Sequence, residues 1–348
     1  MKILITGATG FVGRNLSAYL AERGHELLAL DVVAQVPGVY AEFFSWEDLE
    51  RISWAELDAV VHLAGKAHDT RNVCDAQSYF DVNVELTRQV LGACQKGVSH
   101  SGTETTDGAY CQDAKARGGA GRNISSKKFI LFSSVKAVAD SVSGELTEAA
   151  VPSPQTPYGR SKLAAEGLVL SAGSGSQAGL CSYILRPCMI HGPGNRGNLN
   201  LLYALVNKGL PWPLGRFENQ RSFASIDNVC AVVEGLLTGA VSAGVYQVAD
   251  DATFSTNQLV TLMAEMLGRR ARIWCISEKL IKWLARVGDV LRLPLNSERL
   301  KKLTESYVVS NAKIKRALGW EQMPVSAESG LRKTLKSFQR EHGRVLMG

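Results

Sequence analysis

The sequence predicts an α/β fold, a doubly wound parallel sheet followed by a smaller mixed α/β lobe toward the C-terminal end. Three observations support this prediction: short apolar runs alternate with helical patterns, a glycine cluster follows the first apolar run, and the strict alternation ends after Pro187. Such alternation is typical of parallel strands joined by crossover helices. We therefore predict one domain over residues 1–187 and a second over 188–348, with some later segments returning to the first.

The composition is that of an ordinary globular protein. Hydrophobic residues make up 45% and charged residues 21% of the 348 positions, and the formal charge of +6 includes no dense Lys/Arg block. Nucleic acid is therefore not an expected partner. The seven cysteines are scattered without a Cys-x-x-Cys pair, which is typical of a reducing, cytoplasmic setting. We expect no membrane span, since the apolar stretch 229–241 is short and contains Glu234.

The individual elements follow from the apolar pattern along the chain. Five apolar runs predict buried strands: 3–6, 26–31, 58–63, 128–133 and 181–186. A helix is predicted over 15–22, and the polar stretch 97–127, rich in Gly, Ser and Thr, predicts a surface insert. A later apolar stripe with helical spacing predicts a helix packed into the core of the lobe, in preference to one lying on a membrane: Leu280, Trp283, Leu284, Val287 and Leu291.

A glycine cluster lies between the first predicted strand and the first predicted helix. Gly7, Gly10 and Gly13 stand where a tight turn needs backbone freedom and where a diphosphate needs close approach of the backbone. The helix that follows offers free N–H groups and a positive dipole to such an anion. The spacing G-x-x-G-x-x-G differs from the usual G-x-G-x-x-G fingerprint, so a purely structural turn remains the alternative.

An acidic residue supports the dinucleotide interpretation. Asp31 ends the second predicted strand about 20 residues after the glycines, where a carboxylate can accept the hydroxyls of an adenosine ribose. The same carboxylate would repel a 2′-phosphate, and residues 32–36 contain no Arg or Lys to offset that repulsion. The pattern therefore predicts a Rossmann-type domain that binds NAD in preference to NADP.

A tyrosine and a lysine four residues apart are candidates for acid–base chemistry. Pro157 indicates a helix start, so Tyr158 and Lys162 share one helical face. An ammonium beside a phenol stabilises the phenolate and lowers the pKa of that phenol. Such a tyrosine can exchange a proton with a substrate hydroxyl while hydride moves to or from a nicotinamide. Taken alone, the pair has little specificity, because many helices contain one by chance.

Eight features in order give the chain a resemblance to the extended short-chain dehydrogenases/reductases, the NAD-dependent epimerase/dehydratase family. They are TGATGFVG at 6–13, Asp31, VVHLAG at 60–65, Asn83, LFSS at 131–134, YGRSK at 158–162, LRP at 185–187 and LGW at 318–320. The resemblance extends from about residue 2 to residue 331, apart from the insert. Within the family, the chain is similar to UDP-glucose 4-epimerase-like proteins and to nucleotide 4-keto-sugar reductases of bacterial polysaccharide biosynthesis.

The resemblance implies a role for each matching residue. The cofactor-binding set implied is Gly7, Gly10, Phe11, Val12, Gly13, Asp31, Leu63, Ala64, Gly65, Tyr158, Lys162 and Pro187. The catalytic set implied is Ser134, Tyr158, Lys162 and Asn83, with Ser134 preferred to its neighbour Ser133. The substrate-binding set implied is Ser134, Asn198, Arg216 and Arg221, with the arginines directed at a nucleotide diphosphate. Lys66 is predicted either to reach a phosphate or to be solvated.

Two departures from the family pattern narrow the chemistry. The 4,6-dehydratases of this family have an Asp-Glu pair after the catalytic threonine, whereas this chain has Val135 and Lys136. Dehydration is not expected, because a valine has no proton to donate. The sequence VAD at 138–140 replaces the common VYG, which leaves the local substrate contacts open.

The implied function is NAD(P)-dependent oxidation and reduction at C4 of a nucleotide-diphosphate sugar, with a UDP-sugar favoured. A UDP-hexose 4-epimerase and a 4-keto-6-deoxy-sugar reductase of O-antigen or capsule synthesis use the same residues, so both stay open. A dehydrogenase or reductase of a non-nucleotide ketone or alcohol, or a non-catalytic NAD-binding regulator, are the alternatives. A cytoplasmic homodimer is also implied. No metal is expected, because His62 and His68 lack partners at ligand spacing, and His191 is expected to shape a turn.

Overall fold

The computed structural model of the chain describes residues 1–33, 38–66, 75–100, 126–173, 179–195, 197–291 and 296–345. The strands in these ranges are β1 (Lys2–Thr6), β2 (Glu26–Leu30), β3 (Glu42–Phe44), β4 (Ala59–His62), β5 (Lys127–Phe132), β6 (Glu145–Leu146), β7 (Leu180–Pro187), β8 (Met189–His191), β9 (Arg221–Ser225), β10 (Gly244–Val248), β11 (Thr253–Phe254) and β12 (Val308–Val309). The helices are α1 (Phe11–Ala21), α2 (Ala76–Asn83), α3 (Glu85–His100), α4 (Pro157–Gly173), α5 (Asn198–Asn207), α6 (Ile226–Thr238), α7 (Thr256–Met266), α8 (Glu278–Leu291), α9 (Ser297–Thr304), α10 (Ala312–Leu318) and α11 (Ala327–Val345).

The central layer is a seven-stranded sheet in the order β10-β7-β5-β4-β1-β2-β3. Strands β1 and β2, β1 and β4, β2 and β3, and β4 and β5 pair in parallel, and helices flank the sheet. The chain moves outward from β1 through β2 to β3 and then returns to place β4 on the other side of β1. In such sheets, ligands bind at the carboxyl ends of the strands where the order reverses, which here is the end shared by β1 and β4.

The predicted α/β fold with its Rossmann-type sheet is confirmed. All five predicted strands are present, and the four residues of β4 are buried, as expected for a strand covered on both faces. Strands β3 and β10 were not predicted. The first has only three residues at the edge of the sheet, and the second lies beyond the point where the alternating pattern lapses.

Three predicted boundaries are wrong: the start of the first helix, which is Phe11 and not residue 15, and both boundaries of the insert. The insert predicted over 97–127 begins too early, because α3 continues through Gly97 to His100, and it ends too late, because Lys127 already belongs to β5. The missing side chain of Gly97 permits close packing of α3 on Trp54, because an added Cβ would lie 2.5 Å from Cβ of Trp54. The remainder of the predicted insert, 101–125, lies outside the described residues.

The core packing predicted for the apolar stripe of α8 is also wrong. Leu280, Trp283, Leu284 and Leu291 are 48%, 57%, 40% and 63% exposed, respectively. The face of α8 that packs into the core instead contains Ile281 and Ala285, which are almost fully buried. The helix thus has two apolar faces, and the one with Ile281 and Ala285 occupies the core.

The chain divides into two compact units that are not contiguous in sequence. The N-terminal unit contains Met1–Phe132, Ala164–Ile184 and Ser242–Gly244. The C-terminal unit contains Ser133–Leu163, Leu185–Val241 and Val245–Gly348. In this second unit β8 pairs with β9 in parallel and β9 pairs with β11 in antiparallel, so the predicted mixed C-terminal part is confirmed as a sheet of three strands, smaller than the seven-stranded one. That residues 1–187 bind NAD and residues 188–348 mainly bind the substrate stays a prediction.

None of the helices in the described ranges is both long enough and apolar enough to cross a membrane.

Candidate active site

Two of the three predicted glycines are required by the packing of the turn itself. Gly7 follows β1 with a φ of 67°, and a Cβ added there would lie 2.8 Å from the backbone nitrogen of Ala64. A Cβ added at Gly13 would overlap the carbonyl oxygens of Gly7 and Ala8. A side chain at either position would force the turn away from the chain after β4, or α1 away from the turn. These two glycines therefore explain how β1, α1 and the end of β4 approach so closely.

Gly10 differs from the other two. It is the N-cap of α1 with a φ of −67°, which any residue adopts, and an added Cβ would meet the carbonyl oxygen of Gly7 at 3.2 Å, a tight contact that requires a shift of a few tenths of an ångström. The N-cap makes no side-chain hydrogen bond, and the first turn of α1, which contains Phe11 and Val12, has no acidic residue. The N-terminus of α1 can therefore offer its N–H groups and positive dipole to an anion at the carboxyl end of β1.

Asp31 lies next to this turn, directly after β2. Its Oδ2 accepts hydrogen bonds from the backbone nitrogen and the hydroxyl of Thr9, at 2.7 and 2.8 Å. Its Oδ1 accepts a hydrogen bond from the backbone nitrogen of Val32 at 2.7 Å. A carboxylate accepts about four hydrogen bonds, so Asp31 can still bind further hydroxyl donors while Thr9 fixes its position. The sequence analysis did not predict this role of Thr9. The feature that could have indicated it is a hydroxyl side chain inside the glycine turn.

A buried chain of hydrogen bonds supports the segment that follows β4. The hydroxyl of Thr87 donates to the carbonyl of Asn83 at 2.7 Å and lies 3.0 Å from Nε2 of His62, so Nε2 carries the ring proton. Nδ1 of His62 then accepts from the hydroxyl of Thr6 at 2.8 Å, and that hydroxyl accepts from the backbone nitrogen of Ala64 at 3.0 Å. Both ring nitrogens of His62 are occupied within the core.

Asn83 holds the same segment from the other side. Its Oδ1 accepts from the backbone nitrogen of Lys66 at 2.7 Å, and its Nδ2 donates to the carbonyl of Lys66 at 3.2 Å. Nζ of Lys66 donates to the hydroxyl of Ser78 at 2.8 Å. The sequence predicted that Lys66 either reaches a phosphate or is solvated, and neither prediction included this contact. The backbone of Leu63, Ala64 and Gly65 is thereby fixed beside the glycine turn.

The two adjacent serines after β5 differ in exposure. Ser133 is buried, and its backbone nitrogen donates to the carbonyl of Leu185 at 2.8 Å. Ser134 is partly exposed and caps the single 3₁₀ turn Val135–Ala137, with its Oγ accepting from the backbone nitrogen of Lys136 at 3.2 Å. Ser134 is therefore the more exposed of the two residues, and the preference for it as the catalytic serine stays a prediction.

Helix α4 begins at Pro157, as predicted. The hydroxyl of Thr156 accepts from the backbone nitrogen of Gly159 at 3.2 Å, which is a side-chain N-cap. The same hydroxyl donates to Asp140 at 2.9 Å, so the VAD segment anchors the start of the helix. Tyr158 is partly exposed and Lys162 is 8% exposed, one helical turn apart.

Gly159 brings the start of α4 against the turn that follows Ser134. A Cβ added at Gly159 would overlap the carbonyl oxygen of Lys136 and lie 2.8 Å from Cβ of Pro154. The residue after Tyr158 therefore packs directly on the second residue after Ser134. The predicted hydroxyl and phenol groups are carried by two segments that touch.

Lys136 and the VAD segment at 138–140, which depart from the family pattern, stabilise the turn that follows Ser134. Nζ of Lys136 donates to the carbonyl of Asp140 at 2.7 Å and lies 4.1 Å from the ring centroid of Tyr307. The hydroxyl of Tyr307 donates to the carbonyl of Ala139 at 2.7 Å. Burial lowers the pKa of Lys136 and raises the pKa of Tyr307. Sequence reasoning missed Tyr307, because 168 residues separate it from its partner.

The predicted diphosphate-binding residues have contacts of their own. Asn198 is the exposed first residue of α5. Nε of Arg216 donates to the carbonyl of Cys275 at 3.2 Å, and Nε of Arg221 donates to the carbonyl of Glu305 at 3.0 Å. A guanidinium has five N–H donors, so both arginines retain donors for a further acceptor. Burial lowers the pKa of Arg221. The diphosphate-binding role of these residues stays a prediction.

None of the three predicted histidines is expected to bind a metal, and the structure describes two of them. His62 lies in the hydrogen-bond chain above, and His191 is fully buried at the end of β8, where its Nδ1 lies 2.9 Å from the hydroxyl of Thr334. His68 lies outside the described residues. Within the described ranges, no cluster of three or more His, Cys, Asp or Glu side chains has the arrangement of a metal site.

The sequence itself decides the family. Residues 3–249 match the NAD dependent epimerase/dehydratase family. The chain belongs to this family. The resemblance noted from the motifs, the assignment as an enzyme and the use of NAD are thereby confirmed at the level of the family.

Three relatives span most of the chain. UDP-glucose 4-epimerase of Vibrio cholerae is 28% identical over 368 residues, covering 99% of this chain and 97% of the relative. GDP-6-deoxy-D-mannose reductase of Pseudomonas aeruginosa is 29% identical over 276 residues, covering 76% of this chain and 80% of the relative. 2-Alkyl-3-oxoalkanoate reductase of Stenotrophomonas maltophilia is 28% identical over 357 residues, covering 96% and 98%.

The fold also matches a solved structure along its length. MoeE5 in complex with UDP-glucuronic acid and NAD superimposes with a TM-score of 0.71 at 21% identity, over 98% of this chain and 100% of that chain. At this level of identity the match concerns the fold, which is the Rossmann-type fold predicted from the sequence.

Proposed function

We propose that the protein oxidises and reduces C4 of a nucleotide-diphosphate sugar, with a UDP-sugar preferred, as a UDP-hexose 4-epimerase or a 4-keto-6-deoxy-sugar reductase. The observation that carries the proposal is the packing of Gly159 on Lys136, because it holds the segments of Tyr158 and Ser134 against each other. The relatives that act on UDP-glucose and on a GDP-deoxy sugar support this substrate class.

The glycine turn fits NAD. Gly10 leaves room at the N-terminus of α1 for a diphosphate, next to Phe11, Val12 and Gly13. Asp31 presents a carboxylate to the adenosine ribose and disfavours a 2′-phosphate. Leu63, Ala64, Gly65 and Pro187 complete the proposed set along the ends of β4 and β7. When bound, NAD supplies the acceptor and the donor of hydride.

The protein's own residues handle the proton. The phenol of Tyr158 takes the proton of the sugar hydroxyl during oxidation and returns a proton during reduction. The ammonium of Lys162, one turn along the helix, favours the phenolate form of Tyr158. The hydroxyl of Ser134 donates a hydrogen bond to the same sugar oxygen. Asn83 acts through the backbone of Lys66, so we assign it a positioning role within the predicted catalytic set.

Three side chains are proposed to bind the nucleotide diphosphate. Asn198, Arg216 and Arg221 would bind the diphosphate, because a guanidinium matches phosphate oxygens with paired donors.

Dehydration is not proposed, since Val135 has no proton to donate and Nζ of Lys136 donates to the carbonyl of Asp140. We also propose a cytoplasmic homodimer that acts in the synthesis of surface polysaccharide, on the basis of the family resemblance.

A second candidate has a specific observation in its favour. A relative that reduces a 2-alkyl-3-oxoalkanoate covers nearly the full length of the chain, so reduction of a ketone without a nucleotide is the alternative. It retains Ser134, Tyr158 and Lys162 in the same roles and dispenses with the diphosphate-binding residues.

A substrate panel distinguishes these possibilities. Purified protein is incubated with UDP-glucose, UDP-N-acetylglucosamine, a UDP-4-keto-6-deoxy sugar or a 2-alkyl-3-oxoalkanoate, each with and without NADH. Conversion of a UDP-hexose to its C4 epimer without added cofactor supports the epimerase, and NADH oxidation with the keto sugar supports the reductase. Turnover of the oxoalkanoate alone, or of none of the four, contradicts the proposal of a nucleotide-sugar enzyme.

A further inference from the structure

Helix α8 has an exposed apolar face in addition to its buried one. Its buried face packs on the core of the C-terminal unit through Ile281 and Ala285. The second face, which we call the apolar stripe, consists of Leu280, Trp283, Leu284, Val287 and Leu291. Four of these five side chains are between 40% and 63% exposed, and Val287 is partly buried.

The spacing aligns these side chains along one side of the helix. Each residue of an α-helix advances about 100° around the axis. The apolar stripe at positions 280, 283, 284, 287 and 291 therefore forms a continuous band over the full length of α8. Single exposed hydrophobic residues are normal on protein surfaces, but a continuous band that includes a tryptophan marks an interaction site.

Positive charges lie along one edge of the apolar stripe. The same spacing places Lys279, Lys282 and Arg286 together on the exposed side of α8, next to Trp283. We call these three residues the basic flank. Glu278 and Asp289 lie on the far side of the basic flank, between it and the buried face. Nζ of Lys282 is 2.8 Å from Glu278, and the side chain is 58% exposed, so its ammonium remains accessible to other anions.

We propose that α8 docks lengthwise on an anionic membrane surface. The apolar stripe enters the boundary between head groups and acyl chains, and the basic flank contacts lipid phosphates. A helix with Trp and Leu on one face and Lys and Arg beside it is the type that binds in the plane of a membrane. The stems of the lysines and the arginine lie along apolar surface while their charges stay at the head groups.

Charge favours a membrane over a second copy of this chain as the occupant. In an antiparallel two-fold contact through the apolar stripe, the basic flanks of both copies would lie on the same side and repel each other. The formal charge of +6 on the whole chain adds to that repulsion and to the attraction of anionic lipid. Docking of this kind goes beyond the proposed sugar chemistry and does not depend on it.

Vesicle sedimentation of the full-length protein tests the proposal. The protein is mixed with vesicles of phosphatidylcholine alone or of phosphatidylcholine with phosphatidylglycerol, at low and at physiological salt. We expect binding to the anionic vesicles that weakens with added salt. The variant Trp283→Ser with Leu284→Ser should bind about tenfold more weakly, because apolar area no longer enters the membrane. Lys279→Gln with Arg286→Gln should also lose affinity and show less dependence on salt.

A matched control uses an exposed leucine on another helix. Leu201 of α5 is 72% exposed, so Leu201→Ser removes a similar apolar group without touching α8. This variant should bind vesicles like the unchanged protein, and thermal melting of all variants checks that they remain folded. The proposal is overturned if the unchanged protein does not sediment with anionic vesicles, or if the Trp283 and Leu284 variant binds equally well. It is also overturned if light scattering shows an oligomer that this variant dissociates, since a second copy would then cover the stripe.

Discussion

At the residue scale, the three glycines of the first turn have different physical reasons for being glycine. The missing side chains of Gly7 and Gly13 allow the backbone to pack, because an added Cβ would collide with neighbouring backbone atoms at either position. Gly10 has an ordinary backbone conformation, and an added Cβ there would make a single tight contact, at 3.2 Å from the carbonyl oxygen of Gly7. The fold therefore does not require a glycine at position 10, whereas a bound diphosphate would require one.

This difference predicts opposite outcomes for two alanine substitutions. Gly10→Ala should leave the free energy of unfolding nearly unchanged and weaken NAD binding about tenfold, because the methyl group occupies the space of the diphosphate. Gly7→Ala should destabilise the protein by about 2 kcal/mol or more, since φ at this position is 67°. Urea unfolding and calorimetric titration with NAD measure the two effects. Unchanged NAD affinity in Gly10→Ala would rule out this position of the diphosphate.

At the element scale, the start of α4 is fixed from two directions. Asp140 binds the hydroxyl of Thr156, and Gly159 packs on the carbonyl of Lys136. The position of Tyr158 relative to Ser134 is therefore set by backbone packing, together with the capping of the helix. A small displacement of α4 would change the distance between the two groups that we propose to act on one sugar oxygen.

Two glycines of α4 provide a matched pair of variants. In Gly159→Ala the new methyl group displaces the helix start, and kcat should fall about 100-fold while NAD affinity is retained, because the reacting groups are misplaced by about 1 Å. In Gly167→Ala the added Cβ meets no atom within 4 Å beyond its chain neighbours and the nearby backbone of its own helix, so kcat should be unchanged and stability should rise by about 0.5–1 kcal/mol. Steady-state kinetics and thermal melting of both variants measure this. Equal kcat values for the two would contradict the role assigned to Gly159.

Much of the fold could be predicted at the scale of elements. Strands such as β1 and β4 consist of uninterrupted apolar residues, and the glycine turn and Asp31 lie at the strand ends that the alternating pattern predicts. Pro157 predicted the start of α4 because its ring restricts the preceding residue. These signals are local, so the sequence alone is enough to interpret them.

The parts that could not be predicted depend on contacts between distant segments. Tyr307 binds the loop after Ser134, and Arg221 binds carbonyls of Lys302 and Glu305, over separations of 81 residues or more. The apolar pattern of α8 predicted a helix correctly but not which of its two apolar faces enters the core. Ile281, Ala285 and Gly288 are buried there, and Trp283 remains outside.

At the scale of the whole molecule, the packing of the chain makes two of its thiols, those of Cys94 and Cys275, differ in expected reactivity. Cys94 is fully buried on α3, and burial raises its pKa to about 11. Cys275 is exposed. Alkylating reagents react with the thiolate, so the folded chain should protect Cys94 both by excluding the reagent and by keeping the thiol protonated.

Alkylation with iodoacetamide followed by peptide mass spectrometry tests this packing. At pH 8 the folded protein should be modified at Cys275 and not at Cys94, where only about one thiol in a thousand is ionised. The ionised fraction of Cys94 increases as the pH rises toward its pKa, so labelling should increase from pH 8 to pH 10. The same protein in urea should react at both positions. Rapid modification of folded Cys94 at pH 8 would contradict the packing of α3.

The central claim for the whole molecule is that Tyr158 transfers the proton of the reacting sugar. Its most direct test is the variant Tyr158→Phe, assayed with the nucleotide sugar that the unchanged protein converts, alongside calorimetric titration with NAD. We predict a fall in kcat of about 100-fold to 10,000-fold with NAD still bound, because the ring is kept and only the proton-transferring hydroxyl is removed. Full turnover by Tyr158→Phe would contradict the account.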